Sequence, residues 1–100
     1  MIHVIWEFTV SATHQAAFET AYKNDGVWAQ LFRCDPAYYE TILVKDHERV
    51  GRYLTIDLWE DKESYLRFKD RFVHDYRKID EECELLTQSE RLIGIFERVG

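Results

Sequence analysis

Arg52-Tyr53-Leu54-Thr55-Ile56-Asp57-Leu58-Trp59 is the stretch that decides the fold. Side chains alternate along an extended chain, so Leu54, Ile56 and Leu58 share one side, and Tyr53, Thr55, Asp57 and Trp59 the other. Both sides carry large or apolar groups. That is the pattern of a strand in a sheet covered on both faces, not of one with a wet face. The polar stretch Asp46-His47-Glu48-Arg49-Val50-Gly51 precedes it, and Tyr38 to Lys45 before that reads as its hairpin partner.

Further upstream, Ile2, Val4, Trp6, Phe8 and Val10 alternate with His3, Ile5, Glu7 and Thr9, which predicts a first strand over 2–10. Ser11 or Thr13 offers an N-cap oxygen. The helix that follows lines up Ala17, Phe18, Ala21, Tyr22, Trp28, Leu31 and Phe32 on one broad face. Asp25-Gly26 interrupts it, so a kink or two helical pieces are expected, and Asp35-Pro36 ends it. Downstream, Asp61 is placed to cap a second helix. Its stripe of Tyr65, Phe68, Phe72, Tyr76, Ile79, Cys83 and Leu86 advances in steps of three and four. Glu63 and Arg67 have the favoured i,i+4 order on its flank. Arg91 to Val99 returns to strand, and Gly94 inside it marks a bulge or a close approach.

The element order is βαββαβ: an α+β domain with the ferredoxin-like arrangement, a four-stranded antiparallel sheet with two helices on one face. The 100 residues fit one domain, 1–100, without linker or repeat. Two helices shield only one side of the sheet. The apolar groups on the other side need cover, and an identical sheet is the simplest source, so a homodimer is expected.

Composition narrows the partners. A net charge of −6 argues against nucleic acid and anionic membrane surfaces. No apolar run reaches the length of a membrane span, and the expected location is cytoplasmic. Cys34 and Cys83 form no C-x-x-C pair and are expected as two buried free thiols. The four histidines are scattered, and the four glycines form no phosphate or dinucleotide loop, so neither metal nor cofactor is called for.

The chain resembles the antibiotic biosynthesis monooxygenase family of the dimeric α/β-barrel superfamily over nearly its whole length. The resemblance rests on Trp6-Glu7-Phe8-Thr9-Val10, Phe18-Glu19, Asp25-Gly26-Val27-Trp28 and Asp35-Pro36-Ala37-Tyr38. It continues through Tyr53 to Glu60, Leu86-Thr87 and Gly94-Ile95-Phe96. It implies a dimeric α/β barrel with a pocket in each subunit between sheet and helices. Relatives oxidise polycyclic phenols to quinones without flavin or metal, degrade haem, or isomerise a small phosphorylated metabolite. Haem-degrading relatives carry a strand-one asparagine where this chain has Trp6, and their helix histidine matches a site nearer Tyr76 than His74. Both departures count against haem.

A cofactor-free oxygenase needs a base to form a phenolate, a dry aromatic pocket, and donors for the developing oxyanion. The catalytic candidates are Asp57, His74 and Tyr76; Trp6, Trp28, Trp59, Phe68 and Phe72 are candidate walls for a small hydrophobic or aromatic molecule. Asp57 shares its face with Thr55 and Trp59. If that face looks toward the helices, the carboxylate is buried and its pKa raised, as a general base wants. Trp59 also reads as a core aromatic, and His74, two residues from the stripe, as a surface histidine. Glu7, of opposite parity, is expected to pair with Arg91 or Arg98. An isomerase or lyase acting on a small metabolite, and a non-catalytic ligand-binding module, are the alternative functions.

Overall fold

Ile2–Thr9 (β1), Tyr38–Lys45 (β2), Arg52–Trp59 (β3) and Ser89–Glu97 (β4) form one antiparallel sheet in the order β2-β3-β1-β4. The computed structural model describes all 100 residues. Four helices, Gln15–Tyr22 (α1), Val27–Phe32 (α2), Lys62–Arg71 (α3) and Val73–Cys83 (α4), complete the βαββαβ order as two broken crossovers.

Burial fixes which sheet face meets the helices. Tyr53, Thr55, Asp57 and Trp59 of β3 are all buried, as are Ile2, Val4 and Phe8 of β1. The opposite face holds Ile5, Leu54, Ile56 and Leu58, none fully buried. Beside them Ile42, Val44, Ile93 and Phe96 are exposed, Phe96 by 47%. That face also carries a half-buried ion cluster. Glu7 accepts from Arg52 (2.6 Å) and Arg91 (3.0 Å), and Arg52 reaches Asp46 at 3.1 Å. Hydrogen bonds from Arg52 and Arg91 hold the Glu7 carboxyl below its usual range. Of the two partners expected from the sequence, Arg91 and Arg98, Arg91 makes the pair, and Arg52 is added by the register that sets it against Thr9.

Gly26 makes the corner between α1 and α2. A Cβ there would lie 2.3 Å from the Ala21 carbonyl oxygen, so only glycine lets α2 begin this close to the end of α1. In β4 the register slips between Ile5, opposite Gly94, and Trp6, opposite Leu92, leaving Ile93 as the extra residue of a bulge. The Phe96 ring covers Gly94, 3.0 Å from where its Cβ would stand.

Several elements differ from the sequence reading. The stripe from Tyr65 to Cys83 runs through two helices, because Phe72 turns out of helical geometry (φ −105°, ψ 28°). The hydrogen bonds Phe72 N–H to Phe68 O and Tyr76 N–H to Phe72 O, both 2.9 Å, carry the chain through this bend. Phe72 stacks on Phe68 there, with ring centroids 4.9 Å apart. Asp61 caps α3 as expected, its Oδ1 accepting from Ser64 N–H at 2.7 Å. Ser11 and Thr13 cap nothing; Ser11 Oγ sits 2.9 Å from His14 Nδ1 instead. Arg67 donates to Ser64 Oγ (3.2 Å) rather than pairing with Glu63. β4 starts earlier than expected, at Ser89, because Gln88 N–H donates to Thr9 O (2.7 Å) and extends the ladder. Both cysteines are free, but Cys34 is exposed rather than buried.

Candidate functional site

Asp57 sits on the helix-facing side of β3, where the alternation of that strand puts it, and is 6% exposed. One of its oxygens, Oδ1, accepts from Thr41 Oγ1 of β2 at 2.6 Å. Thr41 Oγ1 has one hydrogen to give and gives it to the carboxylate, so Tyr38 OH, also 2.6 Å from it, donates to Thr41. Thr41 is itself fixed through its backbone: its N–H donates to Asn24 Oδ1 (2.9 Å), which also accepts from Arg33 Nη2 (3.0 Å). Asn24 belongs to the corner closed by Gly26, so a tight turn between helices positions the acid through a strand residue. The ladder between β2 and β3 slips between Tyr38 and Glu40, which places both Tyr38 and Thr41 on the buried side.

Burial is the main influence on Asp57. It disfavours the charged form and pushes the carboxyl up to about 6, with the Thr41 hydrogen bond pulling the other way. No basic side chain pairs with it. An ion pair with Lys or Arg, the alternative role for such an acid, is therefore absent.

Asp57 opens on a narrow cleft of about 50 Å³ between the sheet and the helices. Six aromatic side chains form most of its wall, Trp6 and Phe8 from β1, Tyr22 from α1, Trp28 and Phe32 from α2, and Tyr76 from α4. Thr41, Thr55, Asp57, Asp80 and Glu90 supply the polar lining. Trp28 and Tyr76 meet edge to face, with centroids 4.9 Å apart. The Tyr76 hydroxyl is pushed well above its usual range, chiefly by burial, and so stays a neutral donor. Trp28 Nε1 is buried, with Tyr22 and Cys83 as its polar neighbours.

The structure therefore gathers four of the sequence candidates, Trp6, Trp28, Asp57 and Tyr76, around one cavity. It does not bring the others there. Trp59 and Phe68 are both 0% exposed and pack on each other (5.0 Å) and on Phe32 in the core. Phe72 is stacked against Phe68 outside the cleft lining, and His74 points to solvent from α4. Sequence reasoning missed Phe8, Tyr22, Phe32, Thr41, Thr55, Asp80 and Glu90. Phe8 shares the face of Trp6, Thr55 that of Asp57, and Asp80 lies one helical turn past Tyr76. Those spacings held the signal. Glu90 needed the β1–β4 register, which sets it opposite Phe8.

No three His, Cys, Asp or Glu side chains converge to hold a metal ion. No helix is long and apolar enough to cross a membrane.

No protein-family model matches the sequence, and no curated protein matches it. Solved structures do. A Bordetella bronchiseptica protein named as an antibiotic biosynthesis monooxygenase superposes with a TM-score of 0.77 at 17% identity, over 98% of this chain and 96% of the other. SnoaB, a cofactor-independent oxygenase from Streptomyces nogalater, superposes at 0.72 and 17% identity, over 99% and 93% of the two chains. A Deinococcus radiodurans protein, also named as an antibiotic biosynthesis monooxygenase, gives 0.73 at 17% identity, over 100% and 94%. The chain thus has the fold of the antibiotic biosynthesis monooxygenases, an antiparallel ferredoxin-like sheet with its helices on one face.

Proposed function

We propose that the protein is a cofactor-independent monooxygenase of the antibiotic biosynthesis monooxygenase family, oxidising a phenolic aromatic molecule in the cleft above Asp57. One observation carries this reading: a carboxyl 94% buried, with no counter-ion, set against an aromatic wall. At neutral pH such a group is ionised yet basic enough to take a phenolic proton as the phenolate forms. The fold it shares with SnoaB, a cofactor-independent oxygenase, supports the same reading.

The substrate supplies the electrons. Asp57 takes a proton from the phenol or its anthrone form, and the electron-rich anion passes electrons to dioxygen. A carbon–oxygen bond forms and Asp57 returns its proton to the distal oxygen, giving a hydroperoxide. Loss of the second hydrogen from the same carbon, with cleavage of the O–O bond, then releases water and leaves the quinone carbonyl. One oxygen atom ends in the quinone and the other in water, and the substrate loses four electrons and gains one oxygen. Tyr76 is the donor available to the developing oxyanion. The aromatic wall excludes water from the anion. His74, exposed on α4, has no part in this scheme.

The functional unit in this proposal is a homodimer closed sheet against sheet. Ile42, Val44, Ile93 and Phe96 lie exposed on the face the helices leave open, around half-buried Ile5, Leu54, Ile56 and Leu58.

The test is quinone formation from dithranol in air, followed by absorbance and oxygen uptake. Wild type should turn over at least tenfold above background. Asp57→Asn should lose at least a hundredfold in kcat while keeping its circular dichroism, within the range general bases contribute. Full activity in the folded variant would remove Asp57 from the mechanism.

A further inference from the structure

The cleft is more acidic than phenol oxidation requires. Asp57 lies deep in it, Asp80 and Glu90 lie exposed at its rim, and no Lys, Arg or His lines it. Cations around it are engaged by aromatic rings and by Glu7. Lys69 Nζ lies 5.4 Å from the Tyr65 and Tyr76 ring centroids, and Arg33 5.6 Å from that of Tyr38. Arg91, beside Glu90 in sequence, is on the opposite sheet face and bound to Glu7. Partial burial of the Glu90 carboxyl, and after it the charge of Asp80, raises that group, so the two rim acids repel one another. These acids do not converge as metal ligands, so a compact ion is not what they fit.

Two further features define the ligand. Asp57 Oδ1 is engaged by Thr41, and Oδ2 makes no hydrogen bond in the chain. Trp28, 8% exposed, keeps its N–H buried on the side of Tyr22 and Cys83. The cleft therefore asks for a hydroxyl donor at depth. The π-faces of Trp6 and Trp28 favour positive charge, as do the rim acids.

We infer that the substrate is a cationic aromatic compound, a hydroxylated ring system carrying a protonated or quaternary amine held between Asp80 and Glu90. This rests on the cleft being the active site proposed above. Anionic aromatic acids are the class it rejects, because a second negative charge at the rim meets two carboxylates and no base.

Calorimetric titration with three naphthols tests it: one unsubstituted, one bearing an aminoethyl arm, and one bearing a propionate arm. The amine should bind at least tenfold more tightly than the propionate. In Asp80→Asn/Glu90→Gln that preference should fall to within twofold, with the unsubstituted naphthol binding as before. Glu60→Gln/Glu63→Gln, with the same change in net charge away from the cleft, should keep it. Equal binding of amine and propionate by wild type, or a preference that survives loss of the rim acids, would overturn the inference, as would no binding at all. Oxygen uptake separates the two proposals. If the neutral naphthol is oxidised without any amine preference, this inference fails alone. If the amine preference holds and none of the probes is oxidised, the monooxygenase reading fails alone.

Discussion

Asp57 is a residue at which stability and chemistry pull apart. A carboxyl moved from 3.8 to about 6 by burial holds its proton longer in the folded chain than in the unfolded one. Stability therefore falls as pH rises through that window, by about 3 kcal/mol once the group is fully ionised. Asp57→Asn removes the titration. The variant should resist urea better than wild type at pH 7.5, and the gain should vanish near pH 4, where the wild-type carboxyl is neutral. An equal difference at both pH values would mean that burial does not raise the Asp57 carboxyl. Parity along β3 made Asp57 readable from sequence, since Thr55 and Trp59 share its face. The same parity made Trp59 look like pocket lining. It is not, because it lies at the end of β3 beneath Phe32 and Phe68, two positions from the acid and outside the opening. The Asn24–Thr41–Asp57 relay was not readable at all. It joins residues 17 and 16 positions apart, and local periodicity carries no trace of it.

Among the elements, β2 and β3 follow the sequence reading to the residue, because both ends of each strand are marked by turn chemistry. The helices follow it where glycine marks a break and depart from it where none does. Gly26 announced the α1–α2 corner; Phe72, with no Gly or Pro near it, gave no warning of the α3–α4 bend. The corner matters for function because it delivers Trp28 to the cleft and Asn24 to Thr41. Gly26→Ala would drive a methyl into the Ala21 carbonyl, and should cost roughly 2 kcal/mol or more in thermal or urea unfolding. It should also weaken binding of aromatic probes in the cleft. A variant as stable as wild type would show that α1 and α2 can separate freely there.

On the scale of the whole molecule, one sheet face is served by helices and the other is not. Both aspects were legible in the apolar parity of β3, as was the Glu7–Arg91 pair, whereas the Arg52 contact with Glu7 depends on cross-strand register. A sheet-to-sheet dimer predicts a solution mass twice the 12.1 kDa of the chain by light scattering at micromolar concentration. Ile56→Asp, on the open face, should halve it while retaining native circular dichroism. A wild-type monomer would remove the dimer from the account. The claim on which the functional reading depends is that the ionisation of Asp57 gates turnover in the aromatic cleft. The pH dependence of kcat/KM for phenol oxidation measures it most directly. The account predicts a plateau above neutrality, an acid limb with a midpoint near 6, and a midpoint about one pH unit higher in Thr41→Val, which loses the hydrogen bond favouring the carboxylate. A rate flat from pH 5 to 8, or a midpoint unmoved by the Thr41 substitution, would contradict it.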